Sequence, residues 1–221
     1  MQSFWLWILL AGGLAVGSVR PAVAQSLFDL KWSEATSTEV QALLEQGAAV
    51  NARDRFGRTP LHLAALFNNN PAVVALLLDR GAALTARNGS GETPLHRAAR
   101  VNENPAVLAL LLGRGAAVNA RSQSGQTPLH QAAVLNENPA VAALLLDRGA
   151  AVNARDQLYG ETPLHQAARV NENPAVLALL LDRGADATLR DNQNRLPVDF
   201  AAKNEHLQGA AVYWRLNEAR Y

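Results

Sequence analysis

Cysteine is absent from the 221 residues, and neither charge is in clear excess, because 20 Lys and Arg face 19 Asp and Glu. Without cysteine the protein has no disulfide framework, no thiolate metal site and no cysteine nucleophile. The near-zero net charge argues against nucleic acid as a partner. Aromatic residues make up only 5% of the chain and Ile8 is its single isoleucine, which argues against a β-sandwich or barrel, since these folds favour aromatic and β-branched residues.

Alanine and leucine supply most of the apolar content. The chain has 42 Ala and 35 Leu, and 49% of its residues are hydrophobic while 18% are charged. A disordered chain lacks apolar surface, so this composition excludes disorder. Dominance of Ala and Leu predicts a helical protein.

The N-terminal segment has the pattern of a secretory signal peptide. Residues 4–19 form an uncharged, mostly apolar run, and Ala22-Val23-Ala24 follows as a small-x-small cleavage site. The run is shorter than the ~20 residues that cross a bilayer. No Lys or Arg precedes it, so an uncleaved membrane anchor remains the alternative. We expect export, most simply to the periplasm of a bacterium or else full secretion, and no membrane attachment after cleavage.

The rest of the chain is an internal repeat. Thr-Pro-Leu-His begins at Thr59, Thr93, Thr127 and Thr162, so successive copies are 34, 34 and 35 residues apart, and a degenerate copy begins at Leu196. A fixed period of this length is typical of stacked repeat proteins.

Each unit predicts two helices and an extended hairpin. Thr59 is a good N-cap and Pro60 suits the first helical position. Asn70-Pro71 repeats this start signal before a leucine-rich run that ends at Gly81. One unit buries too little apolar surface to offset the entropy lost on folding, so the units must stack. The alanines at 64 and 65 allow close approach of neighbouring helices.

The signature Thr-Pro-Leu-His-x-Ala, the closing Leu-Leu-Leu-x-x-Gly-Ala and the Val-Asn-Ala before the hairpin resemble the ankyrin repeat family. The resemblance implies an all-α fold, an ankyrin-repeat solenoid of about six helix pairs joined by β-hairpin-like loops. The period exceeds the family's usual ~33 residues by one, in the Asn-Glu-Asn-Pro turn. The predicted domains are a signal peptide at 1–24 and an ankyrin repeat domain at 25–221, comprising an N-terminal cap at 26–52, repeats at 53–86, 87–120, 121–154 and 155–189, and a C-terminal cap at 190–221.

Two terminal units are expected to differ from the internal repeats. A capping box at residues 36–39 precedes a helix in the N-terminal cap, and a last helix is predicted at about residues 206–219. Terminal repeats need a polar outer face, which this last segment supplies.

No residue pattern indicates an active site, a metal or a cofactor. The recurring histidines lie one per stacked unit, too far apart to share a metal ion, and the resemblance implies that they hydrogen-bond within the scaffold. The sequence has no nucleophile elbow, phosphate loop or dinucleotide fingerprint. We therefore expect a protein that is not an enzyme and needs no cofactor.

Two charged rows each allow a second interpretation. Glu103, Glu137 and Glu172 suggest calcium, but successive turns are too far apart to supply six to eight ligands to one ion, so solvated turns are favoured. The arginines at 53, 87, 121, 155 and 190 suggest a phosphate track, but neighbouring aspartates and the neutral net charge argue against it.

The positions that break the repeat are the candidates for partner binding. By resemblance they are the hairpin tips and the exposed first-helix positions of a concave face. They include Gly89, Ser90 and Ser124, and the predicted partner-binding residues are Arg55, Phe56, Arg58, Leu66, Glu92, Arg100, Gln123, Gln126, Val134, Gln157, Leu158, Tyr159, Glu161 and Arg169. Tyr and Arg are enriched at interaction hot spots, although the large apolar tips could instead fold back over neighbouring alanines.

Phe67, Val101, Leu135 and Val170 are apolar in every unit, and we expect them to be core residues under the second helix. The resulting hypothesis is a monomeric, exported, non-catalytic module that binds a protein partner of unknown identity. A periplasmic chaperone or maturation factor for an enzyme, and a secreted effector that binds a host protein, are the alternatives.

Overall fold

The computed structural model describes residues 26–219. Within this part of the chain all regular structure is helical, with a 3-10 turn at Leu27–Asp29 and another at Glu205–Leu207. The α-helices are α1 (Ser37–Glu45), α2 (Pro60–Phe67), α3 (Pro71–Asp79), α4 (Pro94–Val101), α5 (Pro105–Gly113), α6 (Pro128–Leu135), α7 (Pro139–Asp147), α8 (Pro163–Val170), α9 (Pro174–Asp182), α10 (Pro197–Ala201) and α11 (Ala211–Glu218).

The helices begin where the sequence signals predict. The even-numbered helices α2 to α8 start at a proline that follows threonine, and α3 to α9 start at a proline that follows asparagine. In α5, Oδ1 of Asn104 accepts a hydrogen bond from the backbone N–H of Ala106 over 3.0 Å. The missing N–H of proline costs nothing at this position, since the first N–H groups of a helix have no partner within the helix.

The helix pairs stack into one curved array with a continuous core. The first helices of neighbouring units, such as α4 and α6, pack on one another more extensively than the second helices do. Alanines at their contacts are almost fully buried, including Ala98, Ala99, Ala132 and Ala133, and small side chains let helices approach closely. Since units lie closer on the side of the first helices, that side is the concave face.

The ends of the described array depart from the internal repeats. Five helix pairs are present, from α2/α3 to α10/α11, and the N-terminal unit has a 3-10 turn in place of its first helix. Thr36 and Glu39 form the predicted capping box of α1. The predicted last helix is wrong in its start, because Gly209 has a φ of 80° and separates the 3-10 turn from α11.

The hairpin loops contact one another through single backbone hydrogen bonds. The N–H of Gln123 donates to the oxygen of Ser90 over 3.0 Å, and the N–H of Gln157 donates to the oxygen of Ser124 over 2.8 Å. Gly125 turns with a φ of 77°, and a Cβ there would lie 2.8 Å from the backbone nitrogen of Gln157. Glycine is therefore required where one hairpin meets the next.

One second helix carries a glycine that the stack does not need. Gly113 takes the position of Asp79, Asp147 and Asp182 in the other units, and a Cβ on it would meet nothing within 4 Å. Those aspartates pair with an arginine of the next unit, as in the 2.8 Å contact between Arg114 and Asp79, whereas Arg148 has no such partner.

We expect Gly113→Ala to raise the free energy of unfolding by roughly 0.5–1 kcal/mol, because glycine costs that much inside a helix. Gly113→Asp should gain less from the helix than alanine does, because aspartate is a poorer helix former and its charge opposes the helix C-terminus, but an exposed ion pair with Arg148 should offset up to about 0.5 kcal/mol of that difference. Urea unfolding followed by circular dichroism measures both changes. A loss of stability in the alanine variant would show that this helix end is constrained in a way the backbone does not reveal.

Candidate functional site

The repeated histidines are buried parts of the scaffold. The backbone N–H of Thr127 donates to Nδ1 of His130 over 3.1 Å, and Nε2 of His130 lies 3.2 Å from the oxygen of Glu161 in the next hairpin. Because Nδ1 accepts, Nε2 carries the proton and donates. The same contacts recur at His62, His96 and His165. Their structural role is confirmed, since both ring nitrogens are used within the protein.

Burial also keeps these rings neutral. Removal from water lowers the pKa of His130 to about 4, although its hydrogen bond to the oxygen of Glu161 acts in the opposite direction. Burial likewise lowers the pKa of His62, His96 and His165. A charged ring would lose hydration and would turn a second N–H toward the backbone N–H of threonine.

Four of the five arginines in the row along the hairpins donate hydrogen bonds within the scaffold. Nη1 of Arg87 donates to the oxygen of Gly91 over 2.7 Å and to the oxygen of Arg121 over 2.6 Å. Arg53 and Arg121 make equivalent pairs of hydrogen bonds. The guanidinium groups of Arg53, Arg87 and Arg121 join adjacent hairpins, so most of the row is engaged and gives no support to a continuous phosphate track.

Besides the histidine and arginine series, a third series of repeated contacts joins the units, and sequence reasoning missed it. It is the asparagine ladder, formed by the asparagine that follows each first helix. Asn136 is 2% exposed. Its Nδ2 donates to the oxygens of Ala99 and Asn102 in the preceding unit over 3.0 and 3.1 Å, and its Oδ1 accepts from the N–H of Asn138. The signal was the recurrence of asparagine at 68, 102, 136 and 171.

With the invariant polar residues engaged, the accessible polar groups of the concave face form a groove. Its volume is about 450 Å³, and it runs between the hairpin tips and the open side of the first helices. The lining residues are Ser90, Glu92, Arg100, Gln123, Ser124, Gln126, Gln131, Val134 and Arg169.

The accessible charge of this groove is positive. Glu92 is 8% exposed and pairs with Arg97 over 3.2 Å. Glu161 is completely buried beneath Arg169, whose Nη2 lies 3.1 Å from the carboxylate. Burial raises the pKa of Glu161, and the charge of Arg169 opposes that rise. Arg100 has no ion-pair partner among residues 26–219, so its charge faces the groove unmatched.

Large apolar side chains stand exposed on two hairpin tips. Phe56 is 51% exposed, with the guanidinium groups of Arg55 and Arg58 at 4.7 and 4.9 Å from its ring centre. In the longer hairpin Tyr159 is the equivalent of Phe56. The backbone oxygen of Tyr159 accepts a hydrogen bond from the N–H of Asn192, and the backbone oxygen of Phe56 accepts the same kind of bond from the N–H of Gly89. The additional residue leaves Leu158 63% exposed.

Comparison with protein families agrees with this geometry. The chain matches the family described as Ankyrin repeats (3 copies) over residues 33–122 and 84–156, and that described as Ankyrin repeats (many copies) over residues 145–201. The chain belongs to the ankyrin repeat family. No curated protein matches it at a significant level.

Ankyrin repeats generally mediate protein–protein interactions, and proteins built from them are typically non-catalytic. The all-α ankyrin solenoid predicted from the sequence is confirmed. No helix within residues 26–219 is long and apolar enough to cross a membrane. The predicted signal peptide at 1–24 lies outside the described residues.

Some of the predicted partner-binding residues line the concave groove. Those that line it are Glu92, Arg100, Gln123, Gln126, Val134 and Arg169. Arg55, Phe56, Gln157, Leu158 and Tyr159 are exposed on the tips outside it, and Arg58 is half-buried against Asp54. Gln131 was missed, although it too breaks the repeat, standing where Leu63, Arg97 and Gln166 stand in the other units.

Three of the predicted partner-binding residues were wrongly expected to be exposed. Leu66 is only 6% exposed. Glu92 is 8% exposed and Glu161 is fully buried, since arginines of the following helices cover them. Glu92 and Glu161 would therefore act on a partner through Arg97 and Arg169, which cover them.

The expectation that one apolar residue per unit is core under the second helix is also wrong. Phe67, Val101, Leu135 and Val170 are 48%, 40%, 46% and 43% exposed. Each is the last residue of its helix, and the buried position that follows is taken by the ladder asparagine.

Proposed function

We propose that the protein is a non-catalytic, monomeric interaction module that binds a protein partner in its concave groove and acts outside the cytoplasm. The observation that carries the proposal is the groove itself, which gathers residues that differ from unit to unit around Arg100, a cation with no ion-pair partner among residues 26–219. Its invariant neighbours, the histidine, arginine and asparagine ladders, hold the scaffold together and leave specificity to these positions.

The chemistry of the groove indicates what the partner presents. Arg100 and Arg169 flank Val134, the half-buried apolar side chain at its centre. Because the acidic groups Glu92 and Glu161 are already neutralised, a partner carboxylate would meet little repulsion. We expect an acidic side chain at Arg100 beside an apolar group on Val134, with Phe56 and Tyr159 adding contacts at the tips.

The apolar run at 4–19 and the small-x-small site at 22–24 support export of the protein. An exported protein would meet its partner outside the cytoplasm. The identity of the captured partner distinguishes a chaperone from an effector. A periplasmic enzyme that matures only in its presence would indicate a chaperone, whereas a host protein would indicate an effector.

A photo-crosslinking side chain at Gln123, on the exposed rim of the groove, tests the site. We expect one adduct of defined mass in cells that express this variant. The matched control places the same side chain at Ala140, exposed on α7 of the same unit, where no adduct is expected. Equal labelling from both positions, or none from Gln123, would contradict the groove.

Once the adduct is identified, Arg100→Ala should weaken its binding about tenfold or more, since a hot-spot arginine contributes at least ~1.4 kcal/mol. Higher salt should reduce the affinity of the original protein more than that of the variant. Arg148→Ala is the control, because Arg148 also has no ion-pair partner within residues 26–219 but lies at the end of α7, away from the groove. Titration calorimetry that finds both variants unchanged would rule out this role for Arg100.

A further inference from the structure

A second surface lies at the C-terminal ends of the first helices. We call Phe67, Val101, Leu135 and Val170 the apolar row, since each is between 40% and 48% exposed and all four occur at the same position of successive units. Single exposed apolar residues are common on proteins, but an aligned series is typical of an interaction surface. The concave groove does not include them.

Acidic side chains accompany this row. Glu103 and Glu137 share with Val101 and Leu135 a groove of about 190 Å³. Neither carboxylate has an ion-pair partner in the part of the chain that the structure describes, and Glu172 continues the series 35 residues further on.

The scaffold does not require these glutamates. The turn is held by its asparagines, with Asn138 capping α7 and also donating to the backbone oxygen of Glu103 over 2.9 Å. In the first unit the position of Glu103 is occupied by Asn69, and the asparagines on either side of it have the same extended backbone as those on either side of Glu103. The carboxylates of Glu103 and Glu137 are therefore free to meet a ligand, whereas that of Glu172 lies 3.9 Å from Nε2 of His206.

We propose that the apolar row is a second docking surface, which binds a basic amphipathic helix of a partner protein. Neighbouring units are about 10 Å apart, and a helix returns the same face after seven residues, or about 10.5 Å. Leucines seven residues apart would contact successive members of the row, while Lys or Arg beside them would neutralise Glu103, Glu137 and Glu172.

Two other occupants fit the charges less well. An anionic membrane surface would repel the row of glutamates. A second copy of the chain, paired through a twofold axis, would bring the same acidic series toward itself. A basic helix meets both the apolar and the acidic side chains with complementary groups.

Synthetic helices test this surface without knowledge of the natural partner. One labelled 22-residue peptide carries Leu at every seventh position flanked by Lys, and its matched counterpart carries Glu for every Lys. We expect fluorescence anisotropy to show binding of the Lys peptide, weakening as salt is raised, and at least tenfold weaker binding of the Glu peptide.

Two pairs of substitutions locate the contact. Val101→Ser with Leu135→Ser should weaken the Lys peptide about tenfold, and Glu103→Gln with Glu137→Gln should remove most of the salt dependence. The control combines Trp214→Ser with Glu218→Gln, because these exposed neighbours on α11 form a comparable apolar and acidic pair. It should bind the Lys peptide unchanged.

Three results would overturn the proposal: equal binding of both peptides, equal loss in the α11 control, or a dimer in sedimentation that the serine pair dissociates. Circular dichroism must show that all variants keep their helix content. The crosslink from Gln123 should persist in the serine pair, so failure of this surface and failure of the concave groove can be told apart.

Discussion

Acidification from pH 7 to pH 5 is expected to lower the free energy of unfolding by about 2 kcal/mol through His130 alone, given its pKa of about 4 in the folded protein. His62, His96 and His165, whose pKa values are lowered by the same burial, should add to this loss. The combined effect is large compared with the stability of a typical domain, about 5–15 kcal/mol.

The direction follows from proton binding. An unfolded histidine takes up a proton near pH 6.5, but the folded ring resists protonation until the pH approaches its lowered pKa. Between these values the unfolded chain binds more protons, so falling pH favours unfolding. The contribution of the neutral histidines to the free energy of unfolding is therefore fully present above about pH 6.5 and is lost progressively below it.

Two sets of carboxyl groups modify the profile. Burial raises the pKa of Glu161, so the folded protein takes up this proton first and partly offsets the histidine effect as the pH falls. Asp54 and Asp191 have lowered pKa values because hydrogen bonds from Arg58 and Arg195 outweigh the burial that raises them. Their contribution is lost only at more acidic pH, below about 4.

Urea unfolding at pH 7, 6 and 5, followed by circular dichroism, measures the loss. His130→Gln should have a shallower dependence on pH than the original protein, whatever its stability at pH 7. His206→Gln, at an exposed histidine whose ring lies 3.9 Å from Glu172, serves as the comparison outside the buried rings. A free energy of unfolding that is constant from pH 7 to pH 5 would refute the assignment of four neutral, buried rings.

The parts of the fold that were predictable depend on residues close together in sequence. Thr127, Pro128 and His130 lie within one turn of helix, so their capping geometry can be inferred directly from the tetrapeptide. The period then places copies of that geometry in register. For this reason the helix starts and the solenoid were correct, whereas the start of the last helix, in the degenerate C-terminal unit, was not.

The parts of the candidate site that were not predictable depend on contacts between units. Glu161 is covered by Arg169, eight residues later, and also lies 3.8 Å from Arg195 of the following unit. Nothing in the local sequence distinguishes it from an exposed hairpin residue. Likewise, the position of Leu135 is apolar in every internal unit, which is typical of a core residue. The buried residue is instead Asn136, whose hydrogen-bond partners lie in the preceding unit.

That asparagine ladder is where a single substitution should most weaken the stack. Asn136→Ala is expected to lower the free energy of unfolding by about 3 kcal/mol, because it leaves two carbonyl groups and one N–H without partners at ~1–3 kcal/mol each, partly relieved by relaxation. The oxygens of Ala99 and Asn102 lie at a buried contact between units, whereas the N–H of Asn138 lies in the partly buried turn of the same unit as Asn136.

The position of Asn136 at the middle of the array adds a second consequence. In a stacked repeat protein the units cooperate through their nearest-neighbour contacts. Weakening the contact between the α4/α5 and α6/α7 units should therefore separate the array into two parts, and we expect the urea transition to broaden or to divide into two steps. Hydrogen exchange should show reduced protection on both sides of this contact and little change near α10.

Asn138→Ala is the matched control, since Asn138 lies only two residues away and caps α7, and its bond to the preceding unit, through the oxygen of Glu103, is exposed and not buried. Loss of that cap should cost about 1 kcal/mol and leave the transition a single step. Asn136→Asp separates the two functions of the side chain, because a carboxylate still accepts from the N–H of Asn138 but opposes the two carbonyl oxygens with negative charge. It should be at least as destabilising as alanine at pH 7. A stable Asn136→Asp variant would mean that the ladder acts through the turn of its own unit and not through the contact between units.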